Sequence, residues 1–273
     1  MNAIQDCVTL ANGVGMPWLG LGVFRAEDGE EVKKAIAWAF ELGYRGIDTA
    51  AVYGNEQGVG EAVRASGLPR DQIFVTTKVW NNDQGYDETL RAFDASLERL
   101  GMDRVDLYLV HWPVTGKFRD TWRALERIYA DGRSRAIGVS NFLLNHLEDL
   151  LAKAEVVPHV NQVEFHPRLL QPELLQYCER HGIRLEAWSP IMRGKVNDIP
   201  ALVEIGRKYG KTAAQVTLRW DLQHGVVTIP KSVRKERIAE NADVFDFALT
   251  EDEMQTIDAL DRGERLGPDP NTF

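Results

Sequence analysis

The sequence contains little cysteine and no long apolar run. Its two cysteines, Cys7 and Cys178, form no CxxC pair, so we interpret them as reduced residues without a redox role. No apolar stretch is long enough to span a bilayer, and residues 1–13 lack the basic and apolar regions of a signal peptide. These absences predict a cytoplasmic protein with no membrane partner.

Basic residues are fewer than acidic ones. The 273 residues include 32 Lys and Arg against 41 Asp and Glu, which gives a formal net charge of −9. Because nucleic-acid binding depends on neutralising phosphates, this charge argues against a nucleic-acid partner.

Several nucleotide and metal motifs are missing as well. The segment GLGVFR (20–25) carries the first two glycines of the Rossmann fingerprint but not the third, and no Walker A loop occurs. The six histidines are scattered and form no HxH or HExxH pattern, so no metal site is predicted. If the protein binds a dinucleotide, it must therefore do so through a different structural motif.

What the sequence does contain is a regular alternation of short β-rich runs and amphipathic helical stretches. The predicted strands are 19–24, 45–49, 73–79, 105–111, 136–140, 160–165, 184–189 and 226–230. The predicted helices lie near 29–42, 56–65, 87–100, 119–131, 143–153, 172–181, 198–209 and 212–223. Eight strands alternating with helices in this length predict an α/β fold, a (β/α)8 TIM barrel in one domain, 1–273.

Two additions to the barrel are expected. The N-terminal stretch CVTLANGVGMPWLG should form a β-hairpin that turns at Asn12-Gly13, because Asn-Gly suits a tight hairpin turn. Extra helices are expected at the C-terminal end. No low-complexity linker divides the chain, which agrees with a single domain. We expect the protein to be a monomer.

Polar residues follow three successive predicted strands. Asp48 ends one strand, with Tyr53 in the next loop, Lys78 lies near the end of another, and His111 ends the third. Each alone has a structural explanation, since Asp can cap a turn, Lys can extend to solvent and a buried His is usually satisfied. Together, at the end of the barrel where chemistry collects, they favour a catalytic site.

This set of groups suits the reduction of a carbonyl, which needs a hydride donor and an acid. A tyrosine is a weak acid at neutral pH, and a nearby lysine would stabilise its phenolate and lower its pKa. Asp48 would hold the Lys78 ammonium, and His111 would orient the carbonyl oxygen. Trp80 and Trp112 would form an aromatic wall beside the substrate.

The motifs GYRGIDTAAVYGNEQGVG, TTKVW, HWP, GVSNF, NQVEFHP and IPKSVRKERIAEN together resemble the aldo-keto reductase superfamily. The similarity runs along almost the whole chain and is strongest to bacterial glyoxal and methylglyoxal reductases and to 2,5-diketogluconate reductases. It implies that Tyr53 is the proton donor, that Lys78 and Asp48 tune it, and that His111 helps bind the carbonyl. Gly46 departs from the larger residue that many members carry.

The resemblance also implies NADPH (NADP) as cofactor, with a small-molecule carbonyl substrate. Ser140, Asn141 and Gln162 match residues that bind the nicotinamide carboxamide, and Trp188 matches the residue that stacks on the ring. The basic segment 229–241 follows the last strand, where barrels often bind phosphate, although most basic runs are simply solvated. The full expected cofactor set is Gly22, Val23, Asp48, Ser140, Asn141, Gln162, Trp188, Ser189, Pro190, Ile191, Lys231, Ser232, Val233, Arg237, Glu240 and Asn241.

The expected substrates are aldehydes and small dicarbonyls such as glyoxal and methylglyoxal. The loop after Pro113 and the tail after the last helix are short, which leaves His111, Phe24, Trp80 and Trp112 as the expected substrate contacts. The alternative is a 2,5-diketo-D-gluconate reductase, with Arg262 and Arg265 available for a carboxylate.

Two functions of other classes remain open. A serine hydrolase could use Ser140, but a nucleophile elbow needs glycine where Phe142 stands. A non-catalytic NADP-binding subunit could share the fold, although such a protein would be free to lose one of the four proposed catalytic residues.

Overall fold

The computed structural model describes residues 1–273 and contains a two-stranded hairpin and an eight-stranded parallel sheet. The hairpin strands are β1 (Cys7–Thr9) and β2 (Gly15–Pro17). The strands of the parallel sheet are β3 (Gly20–Gly22), β4 (Gly46–Asp48), β5 (Phe74–Val79), β6 (Val105–Val110), β7 (Ser134–Ser140), β8 (Val160–Glu164), β9 (Arg184–Trp188) and β10 (Val227–Thr228).

Helices connect these strands and cover the outside of the sheet. They are α1 (Glu30–Glu41), α2 (Glu56–Ala65), α3 (Tyr86–Leu100), α4 (Phe118–Ala130), α5 (Leu144–Leu151), α6 (Pro172–Arg180), α7 (Pro200–Tyr209), α8 (Ala213–Gln223), α9 (Lys235–Ala242) and α10 (Glu251–Asp258). Every predicted strand and helix is present, with ends that shift by a few residues. The extra C-terminal helices are α9 and α10.

The parallel sheet closes into a barrel. Its strands follow one another in chain order from β3 to β10, and parallel bridges join Leu19 to Thr228 and Gly22 to Lys231 across the remaining gap. The closure requires glycine at position 22, because a Cβ there would lie 2.8 Å from the carbonyl oxygen of Ile229. The predicted (β/α)8 barrel is therefore confirmed.

The hairpin covers the N-terminal end of the barrel. Leu10 and Val14 are hydrogen-bonded across the predicted Asn12-Gly13 turn, at 2.8 Å from amide nitrogen to carbonyl oxygen. The buried hairpin residues Val8 and Met16 pack with apolar side chains of the barrel strands in a cluster separate from the main core. With this end covered, the C-terminal end of the barrel is the one left for a ligand.

Helix α8 differs from the amphipathic pattern expected from its sequence. All residues from Ala213 to Leu222 are buried, because α7, α9 and β10 pack around it. Its start is defined by a capping box, in which the Thr212 hydroxyl accepts a hydrogen bond from the Gln215 amide and the Gln215 side chain accepts one from the Thr212 amide. No helix in the structure combines the length and the apolar character needed to cross a membrane.

Candidate active site

A cavity of about 710 Å³ lies among the loops at the C-terminal ends of the barrel strands, which is a volume suited to a small-molecule ligand. Most of the residues selected from the sequence line it. These are Gly22, Phe24, Asp48, Tyr53, Trp80, His111, Trp112, Ser140, Asn141, Gln162, Trp188, Ser189, Pro190, Ile191, Lys231, Ser232, Val233, Arg237, Glu240 and Asn241.

Two selected residues are not on the cavity wall. Val23 is 1% exposed and belongs to the main hydrophobic core, and its amide donates to the Asp48 carbonyl at 3.0 Å. The Val23 side chain therefore packs in the core, so a contact with a cofactor would have to be made by its backbone, and its assignment as a cofactor contact stays a prediction. Lys78 is fully buried behind the wall.

Lys78 and Asp48 form a buried ion pair. The Lys78 Nζ donates to Asp48 Oδ1 at 2.7 Å and to the Thr49 carbonyl oxygen at 2.8 Å, and neither charged side chain is more than 4% exposed. Tyr53 ends a short 3₁₀ turn, Ala51–Tyr53, directly after β4. This turn brings its ring centroid to 5.0 Å from the Lys78 Nζ. Asp48, Tyr53 and Lys78, which are separated by up to 30 positions in the sequence, therefore lie in contact with one another.

Burial and the neighbouring Lys78 charge shift the pKa of Tyr53 in opposite directions. Burial raises the pKa of Tyr53, and the Lys78 ammonium opposes that rise without cancelling it. The lowering of the Tyr53 pKa that was expected from Lys78 is present, but burial, which the sequence does not show, outweighs it. Burial would lower the pKa of Lys78, but Asp48 and Tyr53 outweigh it and the net shift is upward. At neutral pH the site therefore holds a neutral phenol beside an ammonium.

His111 is a neutral imidazole in this setting. Burial, with a smaller contribution from the Lys78 charge, lowers its pKa well below the usual value. Its ring contacts Tyr53 edge-on at 5.8 Å and Trp80 edge-on at 5.1 Å between centroids. Its buried Nδ1 has no hydrogen-bond partner within the protein. A neutral imidazole has one N–H to donate, and the ring lies beside the Tyr53 phenol.

A second group of polar side chains lies on the ends of β7, β8 and β9. Asn141 adopts a left-handed backbone conformation (φ 66°), and its Nδ2 donates to the His111 carbonyl oxygen at 2.9 Å. Its Oδ1 accepts a hydrogen bond from Trp188 Nε1 at 2.8 Å, which fixes the indole at the cavity. The Ser140 hydroxyl donates to the Gln162 carbonyl oxygen at 2.9 Å. The bond from Asn141 thus connects the strand ends of β7 and β9 to the backbone of His111.

The C-terminal tail supports the Trp188 indole. The Glu164 carboxylate accepts hydrogen bonds from the backbone amides of Leu266 and Gly267, at 2.7 and 3.1 Å, and contacts His166 Nε2 at 3.1 Å. A Cβ on Gly267 would lie 2.5 Å from the Trp188 ring, so this close approach requires glycine. Glu164 and His166 lie in the NQVEFHP motif, but no signal in the sequence identified Gly267 as their partner.

The basic segment of the sequence divides into two parts. Lys231, Ser232, Arg234 and Arg237 line the cavity beside the start of α9, and we call this part its basic end. Lys235 instead pairs with Glu41 at 2.9 Å on the outer surface. The cavity therefore has a cationic end, rich in donors, that fits a phosphate group.

Aromatic side chains lie around Tyr53 and His111, and we call this part of the cavity its aromatic end. Phe24 is 49% exposed and lies 5.0 Å from the Tyr53 ring between centroids. Trp112 stacks on Phe273, with ring centroids 4.3 Å apart and ring planes 20° apart, and the Thr115 hydroxyl donates to the Phe273 carbonyl oxygen at 2.7 Å. Sequence reasoning missed Phe273 because nothing in the tail indicates which loop it contacts.

Further cavity residues were also missed. They are Arg25, Val52, Arg193, Gly194, Asn197, Ala214, Ile229 and Pro268. Val52 and Ile229 lie within the motifs quoted above and Ala214 lies in the first turn of α8, but nothing in the sequence shows that these positions face the cavity. Arg262 and Arg265, which we considered for a substrate carboxylate, are not among the cavity residues, and Arg265 donates instead to Gln171 Oε1 at 3.2 Å.

The chain is similar to known proteins over nearly its whole length. The sequence profile of the aldo/keto reductase family matches residues 18–262. Over 269 residues the chain is 58% identical to the glyoxal reductase of Bacillus subtilis, covering 98% of each. It is 54% identical over 276 residues to the 9,11-endoperoxide prostaglandin H2 reductase of Trypanosoma cruzi, covering 100% of this chain and 98% of the relative.

A solved structure shows the same fold. A mutant of Gox0644, crystallised in complex with NADPH, superposes with a TM-score of 0.94 at 44% identity, covering 98% of each chain. The matched profile and these relatives cover nearly the whole barrel, including every strand end that carries the polar residues described above. The chain therefore belongs to the aldo/keto reductase family of oxidoreductases.

Proposed function

We propose that the protein reduces aldehydes and small dicarbonyls, such as glyoxal and methylglyoxal, to alcohols with NADPH as the hydride donor. The observation that carries the proposal is the buried Lys78–Asp48 pair beside Tyr53 and a neutral His111, at the aromatic end of the cavity. The basic end of the same cavity, with its charged and backbone donors, suits the phosphates of a dinucleotide.

Tyr53 acts as the proton donor in this proposal. Its raised pKa keeps the phenol protonated at neutral pH, so the proton is present when the alkoxide develops. The Lys78 ammonium then stabilises the phenolate that remains, and Asp48 keeps the ammonium in place. Because the pair is already fixed inside the barrel, little reorganisation is needed as charge develops.

His111 orients the carbonyl. As a neutral imidazole it donates an N–H to the carbonyl oxygen without competing for the proton that Tyr53 supplies. Its rigid contacts with Trp80 and Tyr53 hold the ring in one orientation. A cationic His111 would place a second positive charge near Lys78, and the burial of the imidazole opposes this.

The cofactor is held along the cavity by groups of different chemistry. Ser140, Asn141 and Gln162 present hydrogen-bonding groups for a nicotinamide carboxamide, and the fixed Trp188 indole provides a flat face for the ring. At the basic end, Lys231, Ser232 and Arg237 would meet the 2′-phosphate that distinguishes NADPH from NADH.

Small activated carbonyls fit the aromatic end best. The connection from His111 to α4 is short, so Phe24, Trp80 and Trp112 rather than long loops form the walls, and they offer few polar partners for a large substrate. Such a site gains little binding energy from remote parts of a substrate, so the rate depends on the electrophilicity of the carbonyl. A neighbouring carbonyl supplies that activation, and the similarity to a glyoxal reductase agrees with it.

The test is NADPH oxidation by the purified protein across a panel of methylglyoxal, glyoxal, 2,5-diketo-D-gluconate, glucose and a steroid ketone. We expect kcat/KM for methylglyoxal to exceed that for glucose by orders of magnitude, with the steroid turned over poorly. A higher kcat/KM for 2,5-diketo-D-gluconate would replace the proposed substrate class. No NADPH oxidation with any carbonyl, together with tight NADPH binding, would establish the non-catalytic alternative.

A further inference from the structure

Glu186 is a buried acid directly beneath the candidate active site. It lies in the middle of β9, is 1% exposed, and pairs in register with Gln162 of β8 on one side and Val227 of β10 on the other. It does not line the main cavity. The mechanism proposed above gives Glu186 no role, and the burial of a carboxyl group is unfavourable, so its presence here needs an explanation.

Gln162 connects Glu186 to the ion pair. The Gln162 Nε2 donates to Glu186 Oε2 at 2.7 Å and to Asp48 Oδ2 at 2.7 Å. A primary amide nitrogen carries two N–H groups, so both are used between the two carboxyl groups. Only the Gln162 Oε1 is left to accept a hydrogen bond from a ligand, and Gln162 lines the cavity. The two acids thus decide which end of the amide points toward the ligand.

Few charged groups surround Glu186. Those that act on it are Asp48 on β4 and Lys78 on β5, whereas its β10 neighbour Val227 is apolar. Burial, and then the Asp48 carboxylate, raise the pKa of Glu186 to about 8. In return, ionised Glu186 adds negative charge that raises the pKa of both Tyr53 and Lys78. The protonation of Glu186 is therefore coupled to the proposed proton donor.

We propose that Glu186 is a positioning residue for the reduction, which acts through Gln162. Its carboxyl group holds the Gln162 amide with the nitrogen toward Asp48 and Oε1 toward the cofactor, and its charge sets how readily Tyr53 gives up its proton. The inference rests on the proposed function, because it assumes that Gln162 meets the nicotinamide carboxamide.

The test compares the wild-type protein with Glu186→Gln and Glu186→Ala. NADPH binding is measured by quenching of tryptophan fluorescence, and hydride transfer to methylglyoxal by single-turnover stopped flow from pH 6 to pH 10. Glu186→Gln keeps an acceptor oxygen for Gln162 but cannot ionise, so it should bind NADPH as the wild type does. Glu186→Ala removes the acceptor and should weaken NADPH binding by roughly tenfold, the effect of losing one hydrogen bond to a charged or polar partner.

The pH profile separates positioning from a structural role. In the wild type the hydride-transfer rate should fall as pH rises through the pKa of Glu186, because the new negative charge makes Tyr53 a weaker acid. In Glu186→Gln this limb should be absent. Asp221→Asn is the matched control: burial raises the pKa of Asp221 too, but its hydrogen-bond partner is Thr228 and it lies away from the cavity. That variant should keep the wild-type profile.

The proposal is overturned if Glu186→Gln retains the same limb as the wild type, or if Glu186→Ala binds NADPH as tightly as the wild type. If Glu186→Ala does not fold, the profile of Glu186→Gln still decides. Failure of the wild type itself to bind NADPH would instead refute the proposed function, so the two failures are distinguishable.

Discussion

The Lys78–Asp48 pair allows a prediction that separates its structural contribution from its catalytic one. Lys78→Met removes the ammonium but keeps most of the side-chain volume. The change leaves the Asp48 carboxylate, which is 4% exposed, with only the Gln162 amide as a partner, and it leaves the Thr49 carbonyl oxygen without its donor. An uncompensated charge then remains inside the barrel.

The size of the effect follows from the burial of the pair. Removing one partner of a buried ion pair costs about 3–5 kcal/mol, and because both side chains are almost fully buried no discount for solvent screening applies. For a protein of this size each kcal/mol corresponds to about 2–4 °C in Tm. We therefore expect the Tm of Lys78→Met to fall by roughly 6–20 °C.

The double variant Asp48→Asn/Lys78→Met is the control. It removes both charges, and the amide at position 48 can still accept the hydrogen bond from Gln162. Its free energy of unfolding, measured by urea denaturation, should recover most of the loss seen in Lys78→Met. Both variants should lose hydride transfer to methylglyoxal, because neither has an ammonium beside Tyr53.

Two results would refute this reasoning. A Lys78→Met protein as stable as the wild type would mean that the carboxylate is compensated by other groups. A double variant no more stable than Lys78→Met would show that packing, and not the unpaired charge, causes the loss.

Two further predictions concern the proposed proton donor and the phosphate end. Tyr53→Phe should lower kcat by about 10²–10⁴-fold while NADPH affinity stays near that of the wild type, since only the hydroxyl is lost; retention of most of the wild-type kcat would assign the acid elsewhere. Arg237→Ala should raise KM for NADPH by roughly tenfold or more and leave KM for NADH nearly unchanged. Lys235→Ala, which removes a basic residue paired with Glu41 outside the cavity, is its control, and equal effects of Arg237→Ala on both cofactors would contradict contact with the 2′-phosphate.

Local patterns in the sequence were sufficient for the secondary structure and the order of elements. The helix at 86–100 follows from apolar residues that recur on one face, and the hairpin turn follows from Asn12-Gly13. The alternation of strands and helices then leaves few topologies open, because parallel strands joined by helices pack in one handedness. Helix α8 shows the limit of this reasoning, since its neighbours bury both of its faces.

The residues of the candidate active site could also be selected from the sequence, because the fold brings the ends of its strands together. In a closed parallel barrel all strands end at the same face, so Asp48, Lys78 and His111 converge although they lie up to 63 positions apart. Their convergence needs no knowledge of loop conformation.

Only the tertiary structure decided how these groups influence one another. The direction of the Tyr53 pKa depends on burial, which is a property of the whole barrel and not of the motif. The link from Glu186 through Gln162 to Asp48 joins three different strands. The stacking of Phe273 on Trp112 depends on the path of the tail. Contacts of this kind are set by packing between distant segments, whereas strand and helix periodicity is set by neighbouring residues.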